Sequence, residues 1–348
     1  MERKVSVKNM KNKVPGILLW GFIILILTGC TKVEQVKVGM LIEGTGIGDR
    51  SFKQGIWSGV LKAEQELGLE TVFMSASAKT TNHFIKKVKE MYDEGCRIVI
   101  APGNKYSSTV ETLQSEYEDV IFILVDGKTA KEYDNTICII FSEYESGFLA
   151  GAATALELHK GRIAFIGGEV CTPVEEYKDG FLKGVAYVNG SYGTNCVISE
   201  EDIIYSGSFT DYKVGYETAK ELYDRGVVCI FTAAGEVGNG AIDQAVERRR
   251  QGDEVWIVGS DIDQYKSGIY NEKDSVVLTS ALKDLESAVY EAIYNIVTGK
   301  ETGGCVMKYG IENGGVGIPE NNPNLSAETI HVMGEIYKEI KKGTLKIK

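Results

Sequence analysis

The sequence predicts an α/β protein of two lobes, each a parallel sheet with helices on both faces. Three observations lead there. The chain has 348 residues, more than the roughly 100–200 that one core usually serves. Short β-branched apolar runs alternate with longer stretches of helical period, as repeated strand–helix–strand units require. The pattern then restarts mid-chain after residues 135–147, where Ile163–Gly168 opens a strand and turn much as Val36–Gly44 does.

The first thirty residues stand apart from this alternation. Arg3, Lys4, Lys8, Lys11 and Lys13 precede an apolar run, Ile17–Leu27, that ends in Leu27-Thr28-Gly29-Cys30. The run is shorter than the ~20 apolar residues a membrane span needs. A basic, then apolar, then small-residue order ending in cysteine reads as a lipoprotein signal peptide. Residues 1–29 are then the signal, Cys30 the lipidated first residue of the mature chain, and 30–35 a short tether. An extracytoplasmic, membrane-anchored protein is expected. Removal of the signal takes away five basic residues and one acid, moving the net charge from -11 to about -15. So acidic a mature chain excludes nucleic acid as a partner.

The strands follow in order: Val36–Ile42, Thr71–Met74, Ile98–Ala101, Ile121–Val125, Ile137–Ile140, Ile163–Ile166, Val228–Thr232, Val255–Val258 and Val276–Thr279. Between the first two, Phe52, Ile56 and Val60 recur at four-residue spacing with Gly68 placed to end the helix. The last helix is expected over Ala327–Lys342, after Ser326 as N-cap and with Lys341, Lys342 and Gly343 at its end. No Pro/Ser-rich linker separates the halves, so strand crossings that hinge are expected near residues 140, 260 and 305. The lobes would comprise 36–140 plus 261–305 and 141–260 plus 306–348.

Cysteine and histidine narrow the chemistry. Cys138 and Cys229 sit in apolar strand runs and read as small buried hydrophobes; a disulfide such as Cys171 to Cys196 is compatible with export. The three histidines, His83, His159 and His331, are isolated, which gives a metal site or a histidine-based triad little material. No cofactor is implied, and a nucleoside hydrolase would lack its water-activating group. Arg248-Arg249-Arg250 reads as a solvated helix face. Gly235-Glu236-Val237-Gly238-Asn239-Gly240 lacks the lysine of a phosphate loop.

The informative polar residues stand just past strand ends, where ligands bind in such folds. They are Glu43, Asp126, Gly235 in Ala233-Ala234-Gly235, Asp261, and Lys283 beyond Ser280. Each acid alone also suits a turn or a helix cap; their shared placement points to one rim. Carboxylates accept paired hydrogen bonds from vicinal hydroxyls, and a lysine keeps them ionised. Phe52 offers either a stacking face for a base or the first core residue of its helix.

Over almost the whole mature chain the sequence resembles the basic membrane protein family, purine-nucleoside receptors among bacterial substrate-binding lipoproteins. The likeness is carried by Glu43-Gly44-Thr45-Gly46-Ile47-Gly48-Asp49-Arg50-Ser51-Phe52-Lys53, where members have an acid, a glycine-containing turn and D-K-S-F-N. Further matches are Ser146-Gly147-Phe148-Leu149-Ala150-Gly151-Ala152, Gly207-Ser208-Phe209-Thr210-Asp211, Asp261-Ile262-Asp263-Gln264-Tyr265 and Tyr309-Gly310-Ile311-Glu312-Asn313-Gly314-Gly315. The resemblance implies a type I periplasmic-binding fold of two αβα sandwiches, not an enzyme, closing on a nucleoside and delivering it to an ABC permease. It implies that Phe52 stacks on the base, that Asp126 and Asp261 bind ribose hydroxyls with help from Lys283, and that Gly235 admits close backbone approach. Asp49 and Ser51 share the motif and serve either ligand or helix cap. Glu43 stands where members usually carry aspartate facing the base edge. A receptor for a free sugar is the alternative on the same fold.

Overall fold

The computed structural model describes residues 36–44, 46–76, 80–131 and 133–348. The expected signal peptide, Cys30 and the tether to residue 35 lie outside the described residues. From Lys37 the chain forms β1 (Lys37–Glu43), α1 (Phe52–Leu67), β2 (Glu70–Ala76), α2 (Thr81–Asp93), β3 (Cys96–Pro102), α3 (Ser107–Leu113), β4 (Ile121–Val125) and β5 (Thr136–Phe141). It continues through α4 (Glu143–Leu158), β6 (Lys160–Gly167), α5 (Thr172–Tyr192), β7 (Asn195–Val197), β8 (Ile203–Tyr205), α6 (Tyr212–Asp224), β9 (Val227–Ala233) and α7 (Glu236–Gln251). The last elements are β10 (Trp256–Asp261), β11 (Val277–Lys283), α8 (Leu285–Val297), β12 (Cys305–Tyr309), β13 (Val316–Gly317) and α9 (Ala327–Lys341).

The strands make two sheets. The first runs β12-β5-β4-β3-β1-β2, and the second β13-β11-β10-β9-β6-β7 with β8 also paired to β6. Every pairing is parallel except that of the short β13 with β11. Their carboxyl ends therefore point one way within each sheet. Six of the seven residues of β1 are buried, because helices cover both faces. Such strands read as continuous apolar runs rather than alternating ones.

Helices pack on these sheets for reasons visible in their sequences. In α1, Ile56, Val60 and Ala63 form the buried stripe, and Gly68 ends the helix in the left-handed conformation at φ 68°. Helix α4 is apolar nearly all round because it is wedged against α5 and β11. The α4–α5 approach is backbone to backbone: a Cβ on Gly151 would sit 2.2 Å from the carbonyl oxygen of Phe181. Helix α9 begins where Ser326 Oγ accepts from the Thr329 amide at 3.1 Å, and it carries Lys338 and Lys341 in its last turn.

Three crossings join the sheets. The first passes from β5 into α4 at Ser142. The second leaves β11 at Lys283 for α8, which packs on α1. The third spans residues 310–315 between β12 and β13. They lie side by side, with Ser142 N donating to Tyr309 O at 2.8 Å and Asp284 N to Gly315 O at 2.9 Å. The expected crossing near 260 is corrected by this topology. β10 pairs directly with β11, so residues 261–283 stay with the second sheet, while β12 pairs with β5 and extends the first lobe to Tyr309. Nothing local marks the true crossing, because β11 looks like any other buried strand.

All six described cysteines are free. Cys171 and Cys196 flank the 21-residue α5, about 31 Å of helix, far beyond the ~7 Å Cα separation a disulfide tolerates. No helix among the described residues is long and apolar enough to cross a membrane.

Candidate ligand-binding site between the lobes

The strand ends converge on one cavity of about 250 Å³, smaller than the roughly 300–1,000 Å³ of drug-sized pockets. It suits a small solute. Glu43, Asp49, Phe52, Asp126, Gly235, Asp261 and Lys283 all line it. Glu43, Asp126 and the start of α1 come from the first lobe; Gly235, Asp261 and Lys283 come from the second.

Both aspartates sit in strained backbone. Asp126, directly after β4, has φ 55°, and Asp261, the last residue of β10, has φ 69°. Left-handed conformations are uncommon for residues other than glycine and cost of order 1–3 kcal/mol, and they cluster at functional sites. Here they turn two carboxylates from sheets of opposite lobes onto one ammonium.

That ammonium belongs to Lys283, whose side chain is 1% exposed. Its Nζ lies 2.5 Å from Asp126 Oδ2, 2.9 Å from Glu143 Oε1 and 3.6 Å from Asp261 Oδ1. Burial works against the lysine charge, but the carboxylates of Asp126 and Glu143, the Tyr177 hydroxyl and Asp261 hold its pKa well above the ordinary range. Asp126 is raised as well: burial lifts it, Lys283 pulls it down, Glu143 and Asp261 push it up again, and it ends at about 7. Asp126 Oδ1 is buried and makes no hydrogen bond among the described residues. A buried acceptor of this kind costs stability until it is satisfied.

Asp261 is better supplied. Its Oδ2 accepts from Ser51 Oγ at 2.7 Å, and its Oδ1 from the buried Tyr177 hydroxyl at 3.3 Å. The Ser51 bond joins the lobes. Asn239 Nδ2 also donates across the cleft to Asp49 O at 2.6 Å, Gln264 Nε2 to Arg50 O at 2.8 Å, and Lys53 pairs with Glu236 at 2.9 Å. The lobes are closed on one another in this structure.

The cavity also carries a ring and two further acids. Phe52 is half-buried at the start of α1 with the Lys283 ammonium 5.3 Å from its ring centre, a cation–π distance. Glu43 is buried and ion-paired with Lys105, which follows β3. Asp49 lines the cavity, yet its oxygens accept the backbone amides of Ser51, Gln54 and Lys53 at 3.0–3.1 Å, so its carboxylate caps α1. Ser51 makes no side-chain cap and reaches Asp261 instead. Gly235 has φ 59°, and a Cβ there would meet Phe209 O at 2.9 Å. No other residue suits both constraints.

Comparisons with known proteins show the family of the chain. The family model described as ABC transporter substrate-binding protein PnrA-like matches residues 35–348. The chain belongs to that family. This PnrA-like chain is a substrate-binding protein of an ABC transporter, and its family is one of solute-binding proteins rather than enzymes. An ABC transporter nucleoside-binding protein, BmpA, of Lactococcus lactis is 29% identical, over 86% of this chain and 88% of that one. A CD4+ T-cell-stimulating antigen of Listeria monocytogenes is 28% identical, over 90% and 88%. Among solved structures, an ABC transporter solute-binding protein of Aeropyrum pernix superposes with a TM-score of 0.76 at 22% identity, covering 89% of this chain and 92% of that one; this likeness concerns the fold.

Several residues of this PnrA-like site escape sequence reasoning. Glu143 looks like any acid in the first turn of a helix. Tyr177 sits inside α5 and reads as core. Lys105 and Tyr106 follow β3, whose end carries Pro102-Gly103-Asn104 and no acid. The only available signal was that β3 is a sheet strand like its neighbours, so its carboxyl end also had to reach the rim.

Proposed function

We propose that the chain captures a nucleoside, a purine nucleoside foremost, between its lobes and delivers it to an ABC permease, while Cys30 carries a lipid that anchors it outside the cytoplasm. The observation that carries this reading is the meeting of Asp126, Asp261 and Lys283 with the Phe52 ring in one cavity. The aspartates would accept the ribose hydroxyls, Asp126 through its orphaned Oδ1; Lys283 would balance their charge; Phe52 would stack on the base, worth about 1–3 kcal/mol where such stacking has been probed; Gly235 would let its backbone approach. Glu43 and the Lys105 beside it would meet the base edge. Closure desolvates these hydrogen bonds, so a ligand lacking one of them leaves a buried group unpaired, and selectivity follows. The closed surface is what a permease would read.

The test is a panel of purine and pyrimidine nucleosides, free bases, D-ribose and D-arabinose, measured by thermal shift on residues 31–348 and then by calorimetry. A ligand at 100 times its Kd adds about 2.7 kcal/mol, which moves the unfolding midpoint by several degrees. Purine nucleosides are expected to do this and the separate base and sugar to do much less. Stabilisation by free sugars with none by nucleosides would replace this reading with a sugar receptor.

A further inference from the structure

Glu143 is the first residue of α4, immediately past the crossing from β5. Its carboxylate is buried and lies 2.9 Å from Lys283 Nζ, and Lys283 is the last residue before the second crossing. Two residues on, Glu145 Oε2 accepts from the Ile311 amide of the third crossing at 2.7 Å. One helical turn therefore ties all three crossings together, and the Glu143 contact ends on the lysine that also holds Asp126. A third buried carboxylate beside two others is costly unless it does something that Asp126 and Asp261 cannot, because each added like charge disfavours ionisation of its neighbours.

We infer that Glu143 is a positioning residue for ligand capture: from the hinge it fixes the Lys283 ammonium against Asp126, and its negative charge bears on the same carboxylate. This rests on the reading of Asp126 as a ligand-binding group. The groups facing Asp126 are Lys283 from β11, Glu143 from α4, Asp261 from β10, and the Tyr177 hydroxyl and Cys171 thiol from α5 and its start. Lys128, two residues beyond, is exposed. With Asp126 titrating at about 7, a ligand hydroxyl that needs the carboxylate binds less well as the pH falls below that value. Glutamine at 143 keeps an oxygen for Lys283 and removes one of the charges that, after burial, raise Asp126. Alanine removes both.

Guanosine binding to the lipid-free chain, measured by calorimetry from pH 5.5 to 8.5, separates the two effects. The wild-type Kd is expected to rise about tenfold between pH 8 and pH 6, one unit below the Asp126 midpoint. Glu143→Gln should keep the pH 8 affinity within about threefold and flatten that rise, so that at pH 6 it binds better than wild type. Glu143→Ala should lose about tenfold or more at every pH. Wild-type Kd profiles in both variants would overturn the inference. If the wild-type protein takes up no nucleoside, the nucleoside reading fails on its own. The inference is then decided by the unfolding midpoint of the ligand-free protein against pH, whose slope near pH 7 should be smaller in Glu143→Gln than in wild type; equal slopes would overturn it. Circular dichroism checks that each variant is folded.

Discussion

Replacing Lys283 by methionine is the most direct perturbation of the site, since the two side chains are similar in length and only the charge is lost. In the folded protein the lysine stands 2.5, 2.9 and 3.6 Å from three carboxylates, and its side chain is 1% exposed. Removing one partner of a buried ion pair costs about 3–5 kcal/mol, because the other partner is left charged and unpaired. At roughly 2–4 °C per kcal/mol the unfolding midpoint at pH 8 should fall by roughly 6–20 °C. The carboxylates have an escape, which is to take up protons. Burial already raises Asp126, and without Lys283 it should rise further. The loss should therefore shrink at pH 5.5, where protonation relieves the uncompensated charge. Scanning calorimetry of wild type and Lys283→Met at both pH values is the assay. A fall of less than about 2 °C at pH 8, or an equal fall at both, would refute the placement of this lysine as the cation that three buried carboxylates share.

Asp126 makes its own contribution to stability against pH. Its folded-state pKa is raised from 3.8 to about 7, so the stability it contributes is fully present below the unfolded value and is lost as the pH climbs through about 7; Asp126→Asn should flatten the fall in midpoint of the ligand-free protein between pH 5.5 and 8. Asp261→Ala leaves the Ser51 hydroxyl without its acceptor and should weaken nucleoside binding more than about tenfold; unchanged affinity by calorimetry would remove it from the site. Phe52→Ala should cost nucleosides more affinity than ribose, and equal losses would argue against stacking. Gly151→Ala forces a methyl group to within 2.2 Å of Phe181 O and should lower stability by about 1–3 kcal/mol, read by denaturant titration.

Much of the architecture was legible because the central strands are buried on both faces and announce themselves as β-branched runs. What was missed has a physical reason. β12 alternates between half-buried and exposed residues, and β7 and β8 are three residues each, so none makes a continuous apolar run. The crossing after Lys283 was placed near 260 because a strand that changes lobe at its end differs in no residue from one that does not. At the site, Asp126 and Asp261 each also suit a turn when taken alone, and only the shared placement of acids at strand ends pointed to one rim. Asp49 was ambiguous because an acid before a helix has one good use, and its carboxylate turned out to serve it. Tyr177 reaches the cavity from a helix, Glu143 reaches Lys283 from another, and only the tertiary arrangement brings them together.

The absence of a side chain at Gly151 has a mechanical consequence. Helices whose backbones touch cannot slide or roll past one another without collision, so α4 and α5 must travel as a single block with the sheet they cover. Opening of the clamp is then confined to three short neighbouring segments, and the motion reduces to rotation about one axis. A single distance, followed between one label on α2 and one on α6, should report the whole transition.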